Sequence, residues 1–583
     1  MRLQNFTARL RIGACASVFM FAGCSERNKP TAAAPAQPPK LIANAAWEPF
    51  TATFLQGYFE RDPYFAANQG KHEFDGRMPD WSATGLGEKI RWLKSQRAAA
   101  VSMDSKTLSP TQHYQRDYML WIIDRDLFWL EAAQAPRRNP AWYVDDLDPD
   151  MYLSRDYAPL QKRMAGYTGY AAAIPRLAAN IRDNMRTPLP RSYVEYAIAG
   201  FGGFADFFRK DVPQVFASVK DAELQRQFAT ANSAATKAMA DLKLWFVAQR
   251  AAATDDFAIG PELFAQMLRD TERTDLPLAA VEAAGRADLE RNLAALKSAC
   301  AQYLPGGTSA ACVAKMARDK PKNGAIAEAR AQLDTLRAFL LDQGVVSIPS
   351  PDIAAVKQAP PYNSQNAAYM NIAGPYDKGL GGSYFIAPPD PSWSKADQAA
   401  YIPAKATLLF TSVHEVWPGH FLQYLHANRN PFEIASVFVG YGYAEGWAHY
   451  TEEMMYEMGL GANDPATHIG QLEEALLRNV RLLSAIGLHT AGMTLAQSEK
   501  MFREQAFQDA GNARQQAARG TYDPAYLNYT LSKLMIRKLR DDWTVGRGGK
   551  RSWHAFHDQF LSYGGPPVTL VRKQMLGVDT PAL

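Results

Sequence analysis

The chain has 583 residues, of which 47% are hydrophobic, 21% charged and 11% aromatic, and its formal net charge is +4. These proportions belong to a globular protein and exclude a disordered polypeptide, a collagen-like fibre or a coiled coil. Residues 1–23 hold Arg2, Arg9 and Arg11 and no acid, so the remainder carries 60 basic residues against 59 acidic ones, which gives no electrostatic reason to expect nucleic acid as a partner.

The basic start runs into an apolar stretch, Ile12 to Phe21, interrupted by Gly13 and Ser17. It is too short to cross a bilayer and has the layout of a secretory signal. It ends in Phe21-Ala22-Gly23-Cys24, which resembles the processing box of bacterial lipoproteins. The resemblance implies loss of residues 1–23 as a signal peptide and attachment to the membrane only through a lipid on Cys24. Ser25 favours the outer membrane, facing the periplasm; a cleaved signal releasing a soluble periplasmic protein is the alternative. Residues 24–44, including the Pro- and Ala-rich stretch 28–41, read as an extended tether. Residues 45–583 are then the folded body.

That body is expected to be mainly α, a large, two-lobed helical domain. Apolar residues recur at three- and four-residue spacing over 47–61, 86–103, 111–134, 158–186, 214–250, 278–303 and 324–343. Ser109-Pro110 has the chemistry of a helix start, a capping hydroxyl followed by a proline that fits the first turn. Cys300 and Cys312 flank a turn-forming stretch and, in an exported protein, are expected to pair. The exception to helix is 359–393, rich in Gly, Pro and aromatic residues, where Ser383–Ala387 is expected to form a short strand.

The informative stretch is 405–458. His414, Glu415 and His420 are close to the zinc-peptidase pattern HExxH, but the second histidine stands at i+6. On a straight helix that places it roughly 120° around from His414, where the two could not chelate one ion. Pro418 and Gly419 lie between them. Proline removes a helical hydrogen bond, and glycine frees the next residue, so a kink absorbing two residues would bring His420 back to the side of His414. A third ligand is needed. Glu445, His449 and Glu452 are spaced to share one helix face, and Glu445, at the head of that helix, is the choice. His449 and Glu452 are alternatives for the same role, better placed to orient ligands.

The strings HEVWPGHFLQ and EGWAHYTE are similar to HExxPGHxxQ and EGWAxYxE, the signature of the bacterial family of unknown function DUF885. NYTLSKLMIRKLR (528–540) and FHDQFLSYGGPP (556–567) are similar to its C-terminal blocks, so the resemblance covers roughly 45–580. It implies a helical metallopeptidase of the gluzincin type, with one Zn²⁺ per molecule held by His414, His420 and Glu445, and Glu415 as general base. Ser532 departs from the pattern, where a glycine usually precedes the residue matched by Lys533. The expected activity is hydrolysis of short peptides by Glu-assisted attack of zinc-bound water. A zinc amidase or esterase acting on a non-peptide substrate, or a non-catalytic metal-binding lipoprotein, are the alternatives. Tyr529 is the first candidate for stabilising the oxyanion, ahead of Tyr384 and His557, and the strand at 383–387 is a candidate for pairing with a peptide backbone. His426, His468 and His489 read as ordinary helix histidines.

Overall fold

Helix follows the apolar spacing closely. The computed structural model describes residues 44–364 and 367–583; the signal, Cys24 and all of the tether but Asn44 lie outside them. Helices Trp47–Arg61 and Leu278–Tyr303 have the expected bounds. Ala83–Ser102, Leu160–Asn184 and Ala325–Gln343 differ from expectation by a turn or less at either end. Ser109 caps its helix reciprocally with Gln112. The stretch 214–250 is two helices, Val212–Phe216 and Ala222–Gln249, because the Asp221 carboxylate accepts from the Leu224 N–H and starts a new helix inside the apolar run. Cys300 and Cys312 form a disulfide, with Cα atoms 5.7 Å apart, that joins the end of Leu278–Tyr303 to helix Ser309–Met316.

The small β element has three strands where one was expected: β1 (Ala354–Gln358), β2 (Ala368–Ile372) and β3 (Gly382–Ile386). Their order is β1-β3-β2, with β3 parallel to β1 and antiparallel to β2. β3 is thus paired on both sides and has no free edge to offer a peptide. The expectation of strand addition at 383–387 fails on that point, and β2 is the edge nearer the site described below.

The described residues pack around two large apolar cores within one compact unit. The first gathers residues from helices between Trp47 and Phe246, including Trp121, Tyr167 and Phe201. The second gathers most of the protein after Phe264, including Trp447, Leu476, Leu482 and Phe560. Its axis is helix Pro465–Thr490, almost all of whose residues are buried and which packs against Leu278–Tyr303, Lys405–Glu415, Tyr441–Glu457 and Ala510–Tyr522. A helix buried on nearly every side belongs in the middle of a core, and its charged residues, Glu473, Glu474, Arg478 and Arg481, must find partners there.

His72 ties the first core to the turn after β2. Its Nδ1 lies 3.0 Å from Asp75 and its Nε2 2.8 Å from Asp377, and its ring stacks on Tyr157. Burial opposes its charge, but the hydrogen bonds to Asp377 and Asp75 prevail and lift its pKa to about 9. An unfolded histidine titrates near 6.5, so the stabilisation is complete below about pH 6.5 and disappears as pH rises through about 9. His72→Ala should therefore lower Tm clearly near pH 6, and its deficit against wild type should narrow steadily toward about pH 9.5, as thermal unfolding of the two proteins across that range would register.

Candidate metal centre

The helix carrying His414 stops at Glu415 and a second helix begins at His420, running to Ala427. Between them Gly419 passes against the carbonyl of His414; a Cβ at this position would lie 1.7 Å from that oxygen. No residue but glycine can make that approach. The Gly419 N–H donates to Val413 O at 2.9 Å, and the Pro418 carbonyl accepts from the indole of Trp447 at 2.9 Å, so the break keeps its polar groups paired. The His414 and His420 rings, which a straight helix would set roughly 120° apart, stand 4.8 Å from one another and nearly perpendicular.

Glu445 comes from helix Tyr441–Glu457, which crosses the break. Its Oε2 lies 3.3 Å from His414 Nε2 and 3.4 Å from His420 Nε2, and the three ligand atoms all fall within 4.8 Å of one another. Zinc bonds of about 2.0–2.1 Å in a tetrahedron put ligand atoms about 3.3 Å apart, whereas an N–H···O hydrogen bond closes to about 2.9 Å. The separations fit shared coordination better than direct bonding, and two imidazoles with one carboxylate are zinc donors. The glutamate helix also lies tight on helix Asn528–Thr544. A Cβ on Gly446 would meet the Ser532 Cβ at 2.3 Å, so Gly446 supplies the room for Ser532.

Behind the ligands is a buried polar shell. His414 Nδ1 lies 2.7 Å from Glu452, whose other oxygen is 3.2 Å from His449 Nδ1. A carboxylate on Nδ1 fixes the tautomer that leaves Nε2 free to coordinate. Arg478, on the central helix, pairs with Glu452 at 3.2 Å and also with Glu474. Burial, followed by the Arg478 cation, holds His414 well below the ordinary imidazole range, hence neutral. Glu445 resists burial because His420 and His414 hold it well below the ordinary carboxylate range.

Glu415 is buried, and its Oε2 has no hydrogen-bond partner. Burial, with His420 opposing and Glu445 adding, pushes its pKa up to about 7. Tyr529 stacks on the His414 ring at 6.0 Å, and its hydroxyl accepts from Arg519 at 3.2 Å. Burial raises this phenol despite Arg519, so its O–H remains available to donate. Two cavities, of about 820 and 600 Å³, both reach His414, Glu415, Arg519 and Tyr529. The smaller also reaches His420, Glu445 and the edge strand β2, and is lined in addition by Tyr64 and Arg155 from the N-terminal half of the protein.

Tyr384 and His557 line neither cavity. Tyr384 is fully buried on β3 and borders neither cavity; His557 is held between Tyr450 and the Val345 carbonyl. His557, so held, has both ring nitrogens engaged, whereas the pKa of the Tyr384 phenol is raised by burial and then by the charge of Glu415, which places it behind the site rather than in its cavities. His426 and His489 bond backbone carbonyls and His468 stacks on Tyr456. Glu474, Arg478, Arg481 and Arg519 are site residues that the sequence reading does not single out. The signal is present for three of them: Glu474, Arg478 and Arg481 recur at i, i+4, i+7 in an otherwise apolar run, where charges survive only if something needs them.

Residues 63–575 match the family described as "bacterial protein of unknown function (DUF885)". The protein belongs to the DUF885 family. A "putative lipoprotein of unknown function" from Shewanella oneidensis has a similar structure, with a TM-score of 0.72, 22% identity, and coverage of 91% of this DUF885 protein and all of the other. A "putative lipoprotein" from Colwellia psychrerythraea gives a TM-score of 0.78 at 18% identity, covering 92% of this protein and 99% of its own length. At such identities the likeness establishes a shared fold. None of the curated proteins matches in sequence.

The tightest contact in the site is at Gly419. Gly419→Ala should cost about 3 kcal/mol or more, because the added methyl displaces the His414 carbonyl rather than a flexible side group. Denaturant unfolding of the variant beside wild type measures this.

Proposed function

We propose that this DUF885 protein is an exported zinc metallopeptidase that hydrolyses short peptides. The observation that carries the reading is the convergence of His414, His420 and Glu445, with Glu445 Oε2 3.3 and 3.4 Å from the two histidine nitrogens, together with the unpartnered oxygen of the adjoining Glu415. Those three residues would hold the ion. A zinc ion supplies a Lewis acid that acidifies water and polarises a carbonyl.

The protein's own groups divide the remaining work. Glu415 takes the proton of the attacking water and returns it to the departing amine. The Tyr529 hydroxyl donates to the oxygen on which charge develops. Glu452 holds His414 through Nδ1, and Arg478, buried with it, balances the charge of Glu452. The free edge of β2, bordering the smaller cavity, offers backbone groups to an extended peptide. For export, the support is the Phe21–Cys24 box together with the lipoprotein descriptions given to the two similar structures. A lipid on Cys24 would anchor the body at the outer membrane, facing the periplasm.

Three variants test the reading. Purified mature protein should contain about one zinc per molecule, and His420→Ala should contain almost none, by elemental analysis. Glu415→Gln should retain the metal while losing at least about a thousandfold in peptide hydrolysis; undiminished turnover would refute the mechanism. Glu452→Ala should weaken zinc affinity about 10- to 100-fold, measured by competition with a chelating dye.

A further inference from the structure

Arg481 stands one turn beyond Arg478 on the central helix and borders the larger cavity. It is 7% exposed. Its Nε donates to the Gln516 amide at 2.8 Å, and its guanidinium lies 4.5 Å from the centre of the Tyr529 ring. The neighbouring cations have their anions: Arg478 has Glu452 and Glu474, and Arg519 has Asp523. Arg481 forms no ion pair among the described residues; its one side-chain hydrogen-bond partner is the neutral Gln516. Two acids on the same cavity wall are engaged otherwise, Asp509 capping helix Ala510–Tyr522 and Glu473 accepting from Thr407.

A buried guanidinium with a single neutral partner is expensive to keep, and its forked terminal nitrogens match a carboxylate in two places at once. Location supports the same conclusion. The His414 ring lies 6.0 Å from Tyr529, and Tyr529 lies 4.5 Å from Arg481, so the guanidinium is at most about 10.5 Å from the His414 ring. An extended peptide spans that distance in about three residues.

We propose that Arg481 anchors a carboxylate of the substrate in the larger cavity, within about three residues of the bond that is cut. The proposal rests on the peptidase reading for the bond, but not for the anchor. Either the C-terminus of a peptide or an acidic side group could supply the carboxylate.

The test is binding to the full mature protein freed of metal, followed by calorimetry, with three probes: alanyl-phenylalanine, its C-terminal amide, and alanyl-glutamate C-terminal amide. The free acid should bind at least about tenfold tighter than its amide. In Arg481→Gln that ratio should collapse to about one, and Arg481→Lys should retain part of it, with thermal unfolding verifying that both variants are folded. Tight binding of the glutamate amide as well would assign the anchor to carboxylates of acidic residues too. No binding of the free acid, equal affinity for acid and amide in wild type, or a preference that survives in Arg481→Gln would overturn the proposal. Absence of hydrolysis by the zinc-loaded protein, with the binding pattern of the metal-free protein intact, would overturn the peptidase reading alone.

Discussion

The centre depends on one steric fact, the contact between Gly419 and the carbonyl of His414. Because nothing larger than a hydrogen fits there, the backbone can leave one helix after Glu415 and begin another at His420 without spending more than four residues on the change. That short break is what lets two histidines at i+6 face a common point. It also leaves the Pro418 carbonyl directed at Trp447, which fixes the glutamate helix across the gap. Ligand geometry, helix crossing and the depth of the site therefore follow from one glycine.

Around this point the protein uses charge where a core of this kind would ordinarily use hydrocarbon. Glu452, Glu474 and Arg478 are all buried, and each is tolerable only because the others are present. A second network lies farther along the same helices, where Lys533 is buried against Asp288, and Glu453 is shared with Arg291 and Arg537. Such groups have few alternative arrangements in a low-dielectric interior, so they hold helices in register more strictly than leucines do. The ligand positions inherit that rigidity.

Much of this was legible in the sequence, for identifiable reasons. The histidine pair and its break were readable because proline and glycine act locally, on the residues beside them. The long helices were readable from spacing, and the cysteine pair from its isolation. Asp221 was readable in principle as a cap but stands in an Ala-rich run that hides it. β1 and β2 were not legible: AAVKQ and AYMNI have no alternation of their own and are strands only because β3 lies between them. The partners of Arg478 could not be read either, since spacing places a charge on a helix face but leaves its partner to the packing of other helices. Nor does the sequence around Tyr384 reveal that the residue is buried on β3, outside both cavities.

The two cavities share His414, Glu415, Arg519 and Tyr529, and each has the volume of a pocket for a small ligand rather than a groove for a folded partner. Under the peptidase reading proposed above, a polypeptide substrate would have to be unfolded and thin to lie beside Tyr64 and Arg155 in one cavity or along the arginine-bearing wall of the other. Exclusion by girth would then precede any recognition of sequence. On that reading, and at the proposed envelope location, folded neighbours would be spared by shape alone.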